Sequence, residues 1–406
     1  MTTASPTELA PDAVEPHATP SPSTERARRR RERRRARRRQ QARIASRIAL
    51  SAVLVVGLVT FIRSGRSGDA HDASAVKPTP TTARGLLPAV LAQRDAAGAI
   101  TAVSVLAPGS GSDGHLILVP PGTMTELPSY GLDAVGRSFQ LGGAPLLRAA
   151  LENLLGVNLE HIDVIDDASL TALVAPAGPL RVHVDSQVEQ VEPSGLVNVL
   201  WPVGDTDLLP GDVPRFLAER GQQNDLARLV RHHAFWKAWL ARLHADPALL
   251  PRLPGLEDVT PAIAALAKGS VQYATLPVEA LDGGGGDQVY RVRQSELDAL
   301  LEVALPRKVA LGAEGRTRVQ LLNGTGVVAE AQQVAQRLLP AGFRIVVTAN
   351  AKSFSYRETQ VVFYRREQQA AATRVQRALG VGKLVRSRQP LDVVDVTVVV
   401  GSDFKG

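Results

Sequence analysis

The 406 residues, 44% hydrophobic and 21% charged, are enough for two or three domains. The net charge of +7 is unevenly placed: residues 1–25 sum to −4, residues 26–47 (thirteen Arg, one Glu) to +12, and residues 48–406 to −1. A nucleic-acid binder needs its basic patch on the folded module, so this distribution argues against one, and the absence of cysteine excludes disulfides, thiolate metal sites and a cysteine nucleophile.

Residues 1–43 open with a Pro-, Ser-, Thr- and Ala-rich stretch whose composition predicts disorder, then enter the arginine run. The apolar run IALSAVLVVGLVTFI, Ile48 to Ile62, follows. Counted from Ile44 the segment rises about 28 Å as a helix, close to a bilayer's hydrocarbon thickness. A cleaved signal peptide is the rival reading, but the long basic leader and the arginines directly after the run (Arg63, Arg66) favour a transmembrane helix at 44–63. The positive-inside rule then keeps the arginine run cytoplasmic, against anionic lipid, and puts the remainder outside the membrane. Residues 64–85 read as a polar linker.

A first folded region is expected over 86–305. AITAVSVLAPG and HLILVPPGT are short β-rich runs ending in Pro/Gly turns. APLLRAALENLLG has helical spacing and stops at Gly156. HIDVIDDASLTALVAPAGPLRVHV reads as strand, helix, turn, strand, so the region is α/β in layers. RGQQNDLARLVRHHAFW opens a helix capped by Asn224, with Asp225 at its positive end. LDGGGGDQ reads as a flexible loop, since no lysine-bearing strand-to-helix frame follows it. A smaller unit over 316–403 has the order β-α-β-β-α-β: RVQLLNGTG, VVAEAQQVAQRLLPAGF, RIVVTANA, QVVFYR, EQQAAATRVQRALG and DVTVVVGSD.

On these segments the 316–403 unit resembles the C-terminal domain of LytR-type envelope proteins, through VQLLNGTG, LLPAGF, TQVVFY and VTVVVGSD. Residues 86–305 resemble a divergent LytR-CpsA-Psr (LCP) domain, through HLILVPPGT, the stretch LGGAPLLRAALENLLGVNLEHIDVIDDASLTALV and the arginine-rich helix GQQNDLARLVRHHAFWKAWL. The resemblance implies a three-layer α/β domain around a central mixed sheet, followed by the small C-terminal domain. It also implies an activity: transfer of glycopolymer from a polyprenyl-pyrophosphate carrier to the cell wall, with Mg2+ as cofactor where the protein is active. Carried over, Asp225 and Arg228 are the catalytic pair, and Arg220, Arg228 and Arg231 hold the pyrophosphate. Several family positions differ here: Ala218 replaces the first of two paired arginines, His232 replaces a glutamine, and Gly114 or His115 replaces an aspartate. The turn after HLILV offers only Pro120, Pro121 and Gly122 where the family has an arginine and an aspartate. The resemblance therefore assigns no metal ligands in this chain and predicts degenerate catalysis.

Read on its own, the helix groups Arg228, Arg231, Phe235 and Trp239 roughly opposite Leu226, Leu229, Val230, Lys237 and Leu240. Guanidinium forks beside rings suit a lipid phosphate, with Phe235 and Trp239 lining a lipid pocket; equally, the arginines pair with nearby carboxylates and the rings complete a packing layer. His232 and His233 point about 100° apart on a helix and make poor joint metal ligands. Asp166 and Asp167 suit helix capping better than a cation site, and NGTG suits a structural turn better than a phosphate loop. Two functions follow. The first is a membrane-anchored envelope protein that binds a cell-wall glycopolymer, the polyprenyl-phosphate carrier to which it is linked, peptidoglycan or a wall-assembly partner, with little or no turnover. The second is an active phosphotransferase that attaches glycopolymer to peptidoglycan.

Overall fold

The computed structural model describes residues 88–405 except 110–112, 160, 193, 221–222, 257–258, 282–287, 306–315 and 390–392. The expected tail, transmembrane helix and linker, and most of the glycine loop, lie outside these residues. Among the described residues no helix is long and apolar enough to cross a membrane. All of them fall in one compact unit.

The chain begins with β1 (Ala89–Arg94), β2 (Ile100–Pro108), β3 (Asp113–Val119), β4 (Met124–Leu127), β5 (Gly131–Ala134), α1 (Ser138–Leu155), β6 (His161–Ile165) and α2 (Asp167–Val174). Next come β7 (Leu180–Val184), β8 (Val188–Val191), β9 (Val197–Trp201), β10 (Gly204–Leu208), α3 (Val213–Ala218), α4 (Asp225–Ala245) and α5 (Thr260–Lys268). The first part ends with β11 (Ser270–Thr275), β12 (Val278–Leu281), β13 (Val289–Val292) and α6 (Gln294–Ala304). The C-terminal part holds β14 (Arg318–Asn323), α7 (Val328–Leu338), β15 (Arg344–Asn350), β16 (Gln360–Phe363), α8 (Gln369–Leu379), β17 (Lys383–Arg386) and β18 (Val396–Val400).

Local chemistry accounts for several boundaries. Asp166 caps α2 by accepting from Ser169 N at 2.9 Å. Gly156 ends α1 at φ 74°, a left-handed cap that glycine adopts without strain. The central sheet runs β11-β3-β2-β1-β6, with β1 parallel to β6, β3 parallel to β11 and the inner pairs antiparallel. β2 and β3 are continuous apolar runs because both faces of the sheet are covered. Leu106, Leu116 and Leu118 pack one face beneath α2 to α5, while Val105, Ile117 and Val119 pack the other beneath α1 and α6. This is the three-layer mixed α/β arrangement expected from the sequence.

The C-terminal sheet runs β15-β14-β18-β16-β17, so the order is β-α-β-β-α-β-β, one strand more than read from the sequence. β17 is only KLVR; it carries too few residues for a periodic signal and exists through its parallel pairing with β16. The two parts meet along the edge strand β15. The Asn153 carboxamide takes the place of a neighbouring strand, donating to Ile345 O at 2.8 Å and accepting from Ile345 N at 3.0 Å. Glu126 accepts from Thr348 N and its hydroxyl. Arg316 donates to Asn153 O at 2.8 Å on α1 and to Phe343 O at 2.9 Å.

Candidate functional site

The arginine helix is α4. Asn224 caps it, accepting from Ala227 N at 2.7 Å, and Asp225 opens it with its carboxylate buried. The arginine face is turned into the protein, and burial extends past it into the opposite sector: Asp225, Arg228, Arg231, His232, Phe235, Trp236 and Trp239 are buried and so are Leu229 and Leu240, whereas Val230 and Lys237 are exposed. A buried guanidinium needs fixed acceptors, and α4 finds them on other segments.

Arg228, 0% exposed, donates through Nη1 to Thr101 O at 2.6 Å and Leu217 O at 3.3 Å, and through Nη2 to Asp225 Oδ1 at 3.2 Å. Its Nε is buried with no acceptor among the described residues. Arg231 donates through Nε to Phe216 O at 3.1 Å and through its Nη atoms to the Gln223 side chain and Glu219 O. Burial pushes Arg228 down from the ordinary arginine value and Arg231 to about 10. Together the two side chains clamp the C-terminal end of α3 and the loop after it. The buried His232 is pushed down to about 3 by desolvation, so it is neutral and donates Nε2–H to Leu217 O at 2.9 Å. His233 lies instead near the Thr275 hydroxyl, at 3.4 Å, so the two imidazoles serve different neighbours.

Arg220 differs from the other two. Its side chain is 56% exposed and its Nε approaches Asp225 Oδ1 at 3.5 Å, so one carboxylate oxygen serves Arg220 and Arg228 together. Arg220, Asp225 and Arg228 are thus brought together at the start of α4, and Arg231 lies one turn deeper. Phe235 and Trp239 lie further along the same face, with ring centroids 5.6 Å apart and stacked, and Trp236 donates Nε1–H to Ser104 Oγ at 3.0 Å. These rings are core: a lipid chain reaching them would have to displace that packing.

Two site neighbours were not read from the sequence. Gln288 Oε1 accepts from Asp225 N at 2.7 Å and from Tyr290 Oη at 2.8 Å, so the open end of α4 is already met by a carboxamide oxygen. Burial raises the Tyr290 phenol above its ordinary value, keeping it a donor. Gln288 lies 63 residues from Asp225, and no local pattern links them.

The residues present do not fit the magnesium ion that the family resemblance implies. Tyr290 N donates to Gly122 O at 3.0 Å, and a Cβ at Gly122 would collide with Gln288 O, so no ligating side chain has room there. Asp113 begins β3, about 20 Å of strand away from that turn, where it accepts from Ser270 Oγ. Asp225 is already paired with two arginines. Among the described residues no group of three or more His, Asp or Glu could hold a metal.

In this chain a three-layer α/β part carrying an arginine helix is joined to a small C-terminal sheet. Residues 316–404 match the family model described as LytR cell envelope-related transcriptional attenuator. Cell wall biosynthesis protein LcpA of Corynebacterium glutamicum is 25% identical over 292 residues, 63% of this chain and 55% of that protein. The chain therefore spans about half the length of this curated relative. Among solved structures, a LytR-Csp2A-Psr enzyme from Actinomyces oris is 16% identical over 59% of this chain and 98% of its own, with a TM-score of 0.45. YwtF (TagT) of Bacillus subtilis with bound octaprenyl pyrophosphate is 15% identical over 54% and 89%, with a TM-score of 0.42.

Proposed function

We propose that this chain is a membrane-anchored cell-envelope protein of the LytR-CpsA-Psr type, with a cytoplasmic N-terminus and both folded parts outside. It binds a cell-wall glycopolymer, the polyprenyl-phosphate carrier of that polymer, peptidoglycan or a wall-assembly partner, and its catalysis is degenerate. One observation carries the second half of this reading. The arginine helix is present, but Arg228 and Arg231 serve backbone carbonyls of residues 101, 216, 217 and 219, and the turn at Pro120–Gly122 offers no charged side chain. Of the three candidate arginines, Arg220 alone has an exposed guanidinium, enough to hold a phosphate by charge-assisted hydrogen bonds and too little to clamp a pyrophosphate through transfer.

The test uses the full chain in neutral-lipid nanodiscs with a polyprenyl pyrophosphate. We expect binding without phosphate release, unchanged by Mg2+ or by EDTA, and weakened at least tenfold by Arg220→Ala, an exposed change that leaves the core intact. Sustained phosphate release, lost in Arg220→Ala, establishes the active phosphotransferase instead. If neither binding nor release occurs, the helix is structural and this reading fails.

A further inference from the structure

The near-zero sum of charge after the arginine leader conceals a division. Residues 86–305 carry 14 Lys or Arg against 26 Asp or Glu, a net of −12, while residues 316–405 carry 14 against 6, a net of +8. The register of the C-terminal sheet gathers much of this positive charge at one end. β14 and β15 start there with Arg318 opposite Arg344, and β18 starts there with Val396 opposite Val319. β16, antiparallel to β18, finishes there with Phe363 opposite Val396, and β17 finishes there with Arg386 opposite Phe363. Arg366 follows β16 and Arg388 follows β17. Arg374 of α8 reaches the same end, its Nη2 donating to the Thr317 hydroxyl at 3.3 Å.

Arg366, Arg374, Arg386 and Arg388 are exposed. Asp395 is held by Arg318, through Nη2 at 2.9 Å and the backbone N at 2.8 Å; Glu367, next to Arg366 in the chain, is exposed, and Asp298 of α6 attracts Arg344 at the edge of the rim. At ~4.8 Å between strands, the rim from β14 to β17 is about 14 Å long. Its exposed arginines are Arg366 after β16, Arg386 and Arg388 at the end of β17, and Arg374 on α8.

We propose that this arginine rim docks a linear anionic polymer, one that repeats phosphate or carboxylate groups along a flexible chain. Guanidinium forks match both oxyanions, and a row of them engages successive groups of one thread, so modest single interactions combine through counterion release and multivalency. The acidic neighbouring part repels the same polymer and confines it to the rim. Single-stranded nucleic acid would call for stacking rings. The exposed Phe354 follows β15 at the far end of the sheet, and the Tyr364 hydroxyl is tied to Thr397 at 2.5 Å. The proposal does not depend on the α4 site.

For the test, the thirteen leader arginines of the full chain are changed to Gln so that they do not take up the probe, and the protein is titrated in neutral micelles with inorganic polyphosphate and with poly-L-glutamate over a salt series. Replacing Arg366, Arg374, Arg386 and Arg388 by Gln should flatten the slope of log K against log salt by nearly 3, at about 0.7 for each guanidinium removed. The four-lysine version should keep the slope, which separates charge from misfolding. Lys352→Gln with Arg357→Gln, at the opposite end, should leave it unchanged. Preference for polyphosphate names a phosphate polymer and preference for polyglutamate a carboxylate one; both support the proposal. It is overturned if the slope does not change, if the far-end variant flattens it equally, if single-stranded DNA of equal charge binds more tightly than both probes, or if only anionic vesicles bind.

Discussion

The arginines of α4 and those at one end of the C-terminal sheet have opposite fates. In residues 86–305, Arg228 and Arg231 are buried and give their N–H groups to carbonyls of the loop and helix they hold in place. In residues 316–405, Arg366, Arg374, Arg386 and Arg388 stand exposed along the ends of a sheet. The side chain is the same, and the difference is the fate of its hydration. A guanidinium removed from water must find fixed acceptors, so it becomes part of the structure it touches. One left in water keeps its donors for a ligand. An arginine-rich motif is therefore not by itself a ligand site; the acceptors around each guanidinium decide.

The sharpest way to break this comparison is Arg228→Met. Removing the guanidinium leaves Asp225 buried with the exposed Arg220 as its remaining arginine partner and takes the Arg228 donor from Thr101 O, while Leu217 O keeps His232, and the expected loss is about 3–5 kcal/mol. Trp236→Ala in the same layer should cost a similar amount, about 3–5 kcal/mol, through the cavity left beneath α4. Denaturant unfolding measures both; a loss under about 1 kcal/mol for Arg228→Met would mean that the guanidinium is not structural. Asn153→Ala comes next, at about 2–3 kcal/mol, because Ile345 N and O both lose their partner at the seam. If the seam joins the parts into one cooperative unit, a single transition moves down; two separated transitions in the parent protein would refute that. By contrast, Arg386→Gln with Arg388→Gln should change stability by less than about 0.5 kcal/mol, as for exposed side chains elsewhere.

The smallest expected effect concerns pH. Burial raises the Glu126 and Glu152 carboxyls above the ordinary glutamate value, against the hydrogen bonds from Thr348 and Leu159 that lower them. A carboxyl raised in the folded state contributes stability below its unfolded pKa, and that contribution is lost as pH rises through the folded value. Stability should therefore decline from acid toward neutral pH over this window. Glu126→Gln should raise the melting temperature at pH 7 by about 2 °C or less and leave it unchanged near pH 4. An equal shift at both pH values would mean that the carboxyl is not raised.

Much of the framework is legible in the sequence. Caps at Asn224, Asp166 and Gly156, the two-sided apolar runs of β2 and β3, and the strand-helix-turn-strand pattern from His161 to Val184 are local signals, and each element forms where they place it. The four-residue β17 is not legible, because its identity comes from its neighbour β16. Gln288 and Tyr290 are not legible either, since nothing near Asp225 in the chain announces them. Summing residues 48–406 as one body also hides the opposed charges of the two parts.

The sequence by itself determined which residues share the inner face of α4, because a helical period places Arg228, Arg231, Phe235 and Trp239 together whatever lies opposite. Only the tertiary structure decided what that face meets. Thr101 is 127 residues from Arg228 and Phe216 is 15 from Arg231; which carbonyls lie within reach depends on how sheet, loop and helix pack. The same holds at the C-terminal rim, where arginines scattered from Arg366 to Arg388 become neighbours through strand direction and register. Periodicity and capping act over one or two turns of chain, whereas desolvation and charge clustering are properties of the folded surface.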